Sequence, residues 1–140
     1  MKNNLLKKFP HSFVFTRLGL SKIHGIGVFA IVDIPRDTNI FSNDKIKVVW
    51  CDKNEIDSLN IDKDLRRLYT DFCIIKHGKY GVPVNFNSIT PGWYMNEPIK
   101  GQDSNVYADK DYNFFAKRDI RKGEELTTDY LLFSEHINRY

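Results

Sequence analysis

Only one stretch of this chain carries a helical repeat. Leu65, Leu68, Tyr69, Phe72 and Ile75 recur at spacings of three and four, which places them on one helix face. That periodicity predicts a helix over residues 62–76, with Asp62 as its cap and Gly78 as its stop. Elsewhere the apolar residues come in short runs broken by glycine, proline, asparagine or aspartate. Residues 12–18, 28–32, 38–41, 46–51, 106–108, 114–116 and 125–130 read as extended pieces. Residues 54–60 read as turns, and 79–95, interrupted by Pro83 and Pro91, as irregular. Ten Phe and seven Tyr favour pleated, half-buried surfaces. The expected fold is therefore mainly β with one or two short helices. At 140 residues there is room for one core. Residues 1–11 read as an N-terminal tail, 12–133 as the domain and 134–140 as a short C-terminal tail.

Several function classes drop out on composition. The net charge of +3 is mild, and much of the excess sits near the N-terminus at Lys2, Lys7, Lys8 and Arg17. No aromatic–basic interleaving accompanies it, so nucleic acid is not the expected direct ligand. Cys51 and Cys73 stand apart, with no zinc-ligand spacing, so they are expected to be reduced and no metal is expected. Lys7–Lys8 interrupts Leu5–Leu6, and no apolar run approaches the ~18 residues of a membrane span. An intracellular protein, cytoplasmic or nuclear, is the resulting expectation. One internal echo runs from Val28–Thr38 to Phe114–Glu124: apolar strand, Asp-Ile, basic turn, strand. It reads as two similar hairpins rather than a duplicated domain.

Three segments carry a family likeness. The first is His24-Gly25-Ile26-Gly27-Val28-Phe29-Ala30, followed by Asp33-Ile34-Pro35. The second is Tyr94-Met95-Asn96-Glu97, with Asn105-Val106 downstream, and the third runs from Arg118 to Tyr130. In this order and spacing they resemble the SET-domain family of protein-lysine methyltransferases, in the minimal form without cysteine-rich flanks. The resemblance covers roughly residues 17–131. It implies a β-clip fold of several small sheets with a threaded-loop, or pseudoknot, region. It also implies transfer of a methyl group from S-adenosylmethionine to a lysine amine of a protein, leaving S-adenosylhomocysteine.

The likeness assigns residues to roles. Gly25, Ile26 and Gly27, with Lys22 and His24 nearby, correspond to the turn that holds the methionine part of the cofactor. Tyr94, Asn96 and Glu97 complete the cofactor set, Asn96 because an amide both donates and accepts. Tyr130 falls in register with the catalytic tyrosine. Tyr80, Trp93, Tyr94 and Phe133 are candidate channel walls, since aromatic faces attract an alkylammonium. Thr128 stands where many members carry an aromatic that limits how many methyl groups are added. Glu124 and Glu125 point to opposite faces of a strand and read as surface or ion-pair residues.

The chain also departs from the pattern. Glu97 replaces a histidine, Pro98 replaces serine or cysteine, and the 97–105 loop is three residues longer than in the family. These changes leave as an alternative a catalytically impaired SET-fold module that binds cofactor or peptide, and the N-terminal lysines leave another, a basic interaction module. The short C-terminus leaves closure of the pocket to the tail itself, to a second copy in a homodimer, or to nothing.

Overall fold

The computed structural model describes residues 8–44 and 48–135. Its eight strands form three small antiparallel sheets. The first has the order β1-β2-β8, with β1 at Thr16–Leu20, β2 at Ile26–Ala30 and β8 at Glu125–Leu126. The second has the order β3-β5-β4, from Val49–Asp52, Lys79–Val82 and Ile74–Lys76. The third pairs β6, Val106–Ala108, with β7, Phe114–Ala116. Two short helices, α1 at Lys53–Asp57 and α2 at Lys63–Phe72, complete the framework. This is the mainly β architecture expected from the sequence.

The helical stretch is shorter than its periodicity suggests. Asp62 caps α2 as predicted, accepting from the Asp64 amide at 2.8 Å. The helix ends at Phe72, because Cys73 turns to extended backbone and Ile74–Ile75 enter β4. Ile75 was in phase with the helix face, but β-branched pairs suit strands better. Gly78 serves a hairpin instead: His77 and Gly78, both at positive φ, join β4 to β5. Lys79–Val82, read as irregular, is the central strand of its sheet and stops at Pro83, which has no amide to donate. Residues 53–57, read as the start of a turn region, are helical because Asp52 accepts from the Glu55 amide at 2.9 Å. The first strand begins at Thr16, since residues 9–14 close turns on themselves. Of the predicted 46–51 strand, residues 46 and 47 lie outside the described residues, and pairing starts at Val49.

The echoed hairpins clasp each other about a local two-fold. Ile34 and Ile120 exchange backbone hydrogen bonds of 2.7 and 2.8 Å. The Ala30 amide donates to the Glu124 carbonyl, and its counterpart Ala116 donates to Thr38. The Arg36 amide donates to Asp119 at 2.8 Å, mirrored by Lys122 to Asp33 at 2.9 Å. The repeated Asp-Ile thus acts as a reciprocal clasp. Around it packs an aliphatic core of Val28, Ala30, Ile34, Ile40, Met95, Val106, Ala116, Ile120 and Leu126. A second, smaller core gathers Cys73, Ile75, Tyr80 and Val82 with Tyr69 and Phe86. Both cysteines are free thiols.

Candidate active site

The last strand continues as a threaded segment. Thr127 pairs with Asn96 and Thr128 with Val106, both in parallel. The Thr128 amide donates to the Asn96 carbonyl, and the Val106 amide donates to the Thr127 carbonyl, each at 3.0 Å. The 97–105 loop therefore crosses over the strand that runs between its ends. Asn105 fastens this crossing: its side-chain oxygen accepts from the Thr127 amide at 2.8 Å and its nitrogen donates to the Glu125 carbonyl at 2.9 Å. Every partner is buried or half-buried, so the geometry is held where water does not compete.

Two cavities meet at this crossing. The smaller, about 160 Å³, is bounded by His24–Ile26, Tyr94, Asn96 and Asp71. The larger, about 760 Å³, is bounded by Trp50, Tyr112, Phe114, Thr128 and Phe133, with Asp44, Lys110 and Asp111 at its wall. Phe72, Trp93, Met95 and Tyr130 belong to both. Tyr130 is not on the strand, as 125–130 had suggested. It opens a 3₁₀ turn, Tyr130–Leu132, capped by Asp129, whose carboxylate accepts from the Leu131 amide. The turn sends the phenol back to donate to the Met95 carbonyl.

Asn96, only 4 % exposed, organises the small cavity. Its side-chain nitrogen lies 2.9 Å from the His24 carbonyl, 3.3 Å from that of Ile26, 3.0 Å from Glu125 Oε2 and 3.2 Å from Ser21 Oγ. Gly25 is the member of the turn that needs glycine for its backbone, at φ +50°. At Gly27 a Cβ would sit 2.5 Å from Glu125 Oε2, so any side chain there would displace that carboxylate. Glu97 reaches the 3₁₀ turn, its Oε2 accepting from the Tyr130 amide at 3.4 Å.

Most sequence-assigned residues converge. His24, Gly25, Ile26, Tyr94 and Asn96 line the small cavity; Thr128 and Phe133 line the large one; Trp93 and Tyr130 line both. Lys22 is exposed and lines neither. Gly27 and Glu97, also assigned to the cofactor, line neither cavity. Tyr80 lies apart from both cavities. It is buried in the second core with its hydroxyl donating to Asp57 at 2.7 Å, and burial raises its phenol well above the ordinary range.

The reading of Glu125 as a surface residue does not hold. Its neighbour Glu124 does pair with Arg118, at 3.0 Å, while Glu125 turns inward to Ser21 and Asn96. The opposed facing was legible, but which of the two faced inward was not. Trp50 and Tyr112, whose rings lie 6.0 Å apart on the large cavity, carried no sequence signal. Burial also raises the Tyr112 phenol, which keeps it neutral at physiological pH.

The SET domain family matches residues 25–131, and the chain belongs to it. Solved structures share the fold. A candidate histone methyltransferase of Plasmodium falciparum aligns at 18 % identity over 82 % of this chain and 91 % of its own, with a TM-score of 0.51. A humanized mutant of the Chaetomium thermophilum Polycomb Repressive Complex 2, bound to the inhibitor GSK126, aligns at 20 % identity. That match covers 84 % of this chain and 15 % of the other, with a TM-score of 0.54. No curated protein matches the chain by sequence. Among the described residues, no helix is long and apolar enough to cross a membrane.

Proposed function

We propose that the chain is an S-adenosylmethionine-dependent protein-lysine methyltransferase, with the cofactor's methionine end in the small cavity and the lysine in the large one. One observation carries the reading: Tyr130 stands in the wall common to both cavities. A methyl donor on one side and an amine on the other would meet beside its phenol.

The donor set suits this cofactor. Asp71 and the Asn96 amide line the small cavity, and the Glu125 carboxylate lies just behind Asn96, so the surround carries negative charge that favours a cationic guest. At about 160 Å³ the small cavity is well below the ~300–1,000 Å³ that encloses a whole ligand of this size, so it suits the amino-acid and sulfonium end. When bound, the cofactor supplies an electrophilic methyl group.

The remaining work falls to the chain. Trp50, Trp93, Tyr112 and Phe133 wall the large cavity with rings that attract an alkylammonium. Among the described residues, Asp44 and Asp111 outnumber Lys110 on its wall, which favours a cation. Free lysine has a pKa near ~10.4 and arrives protonated. Passage between the rings disfavours the charged form, so the proton leaves to water before transfer. The Met95 carbonyl fixes the Tyr130 phenol by accepting its hydrogen bond, which holds the ring beside the reacting atoms. Alignment of this kind contributes up to about 7–11 kcal/mol at the extreme. Thr128 is 2 % exposed, lines the large cavity and has no hydrogen-bond partner for its hydroxyl. Its small side chain leaves room for more than one transfer to the same amine.

The test is radiolabelled methyl transfer from S-adenosylmethionine to proteins of a lysate, with mass spectrometry to count methyl groups. Tyr130→Phe should cut labelling about 100-fold, the loss typical of misplaced reactants, while calorimetry finds cofactor affinity within about threefold of wild type. Equal labelling by the variant removes Tyr130 from catalysis. Cofactor binding with no labelling by wild type would favour the impaired module.

A further inference from the structure

We infer that Glu125 is a positioning residue for cofactor binding, its carboxylate locking the Asn96 amide and the 21–26 turn into one arrangement. The inference rests on the cofactor reading of the small cavity.

The case begins on β8. Glu125 pairs with Phe29 of β2 and faces inward, while Glu124 faces outward to Arg118. Both carboxylate oxygens accept from Ser21 Oγ, at 2.8 and 2.9 Å. Oε2 also accepts from Asn96 Nδ2 at 3.0 Å. The Ser21 hydroxyl, its own proton given to the carboxylate, accepts from the Ile23 and His24 amides at 2.9 and 3.2 Å. One carboxylate thus organises the hydroxyl that shapes the turn and the amide that closes it. Its pull on Asn96 Nδ2 orients the side chain, so that the nitrogen faces the carboxylate and the turn carbonyls. The amide oxygen is then left for a donor such as the cofactor's ammonium.

Gly27 leaves the carboxylate its space. An added Cβ would lie 2.5 Å from Oε2 and 2.8 Å from Cδ of Glu125. Gly27 is not among the glycines at positive φ, so its backbone would accept a side chain. Such a side chain would have to push the Glu125 carboxylate away from Ser21 and Asn96.

The experiment is calorimetric titration of the full chain with S-adenosylmethionine, with thermal melts of the cofactor-free protein alongside. Glu125→Ala should weaken binding about tenfold or more, in line with the loss of hydrogen bonds to a charged group. Glu125→Gln should recover most of it, because one amide oxygen at the Oε2 position still accepts from both Ser21 and Asn96. Glu125→Ala should add little to Asn96→Ala, since the two act through one contact. Gly27→Ala, which displaces the carboxylate, should resemble Glu125→Ala.

Normal affinity in Glu125→Ala beside weakened Asn96→Ala overturns this role alone. So do fully multiplicative effects of the two changes. A Glu125→Gln variant as weak as Glu125→Ala overturns positioning in favour of direct charge contact. Normal affinity in Asn96→Ala overturns both this role and the Asn96 contact it serves. If Glu125→Ala does not fold, Ser21→Ala and Glu125→Gln carry the test: Ser21→Ala should weaken binding and Glu125→Gln should not, and any other result overturns the role.

Discussion

The two cores of this molecule are built differently. The larger has an aliphatic centre with Met95, ringed by Phe15, Phe41, Tyr94 and Phe114, and draws on β2, the Asn96 segment, the hairpin clasp and the final strand. The smaller mixes two thiols with a tyrosine whose phenol is tied to Asp57, and it sits beneath α1 and α2. The larger core underlies the segments that frame the small cavity. The smaller core backs Phe72, Cys73 and Ile74, which form one wall of the large cavity. Close packing has few low-energy alternatives, which on the proposed function suits the side that would hold the cofactor. On the same reading, the smaller core backs the side that would admit a polypeptide.

The largest effect should come from Leu126→Ala. Leu126 is fully buried in the first core, and such truncations cost about 2–5 kcal/mol. Denaturant unfolding should show that loss, together with lost cofactor binding, because β8 and the threaded segment are continuous. Trp50→Ala comes next. It should raise the KM for a lysine peptide about tenfold, or ~1.4 kcal/mol, and leave cofactor affinity within about twofold. Weakened cofactor binding there would dissolve the division of labour between the two regions.

Tyr80→Phe should cost about 1 kcal/mol, the net worth of one hydrogen bond. Thermal unfolding should record it, while Asn96-side binding stays unchanged. Full loss of activity in this variant would return Tyr80 to the channel. The smallest effect belongs to the Glu124–Arg118 pair. The Arg118 hydrogen bond holds the Glu124 carboxyl below its ordinary value. Its contribution is therefore present above the unfolded carboxylate pKa and fades as pH falls through the folded one. The pair is partly exposed, so about 1 kcal/mol is its upper size. Glu124→Gln should flatten the acid limb of the melting curve by no more than that.

Legibility followed locality. Asp62 announced its cap and the strands 106–108 and 114–116 their bounds, because each depends on neighbours in sequence, while Pro83 hid the strand that ends just before it. Ile75 misled, since a residue can satisfy a helical spacing and still be claimed by a strand partner, here Tyr80. The three motif segments located Asn96, Tyr130 and the glycine turn. They did not reveal the 3₁₀ turn that aims Tyr130, or that Tyr80 belongs to another core.

Taken alone, the sequence determined that the chain is mainly β, that its glycine turn, Asn96 loop and last strand form a SET-type set, and that Glu124 and Glu125 face apart. Backbone preference, side-chain alternation and motif register are properties of the chain itself. Only the tertiary structure decided that Glu125 is the inward carboxylate, that Gly27 makes room for it and that Trp50 and Tyr112 wall the larger cavity. Those facts depend on which remote segments come within a few ångströms of each other, and no local spacing encodes that distance.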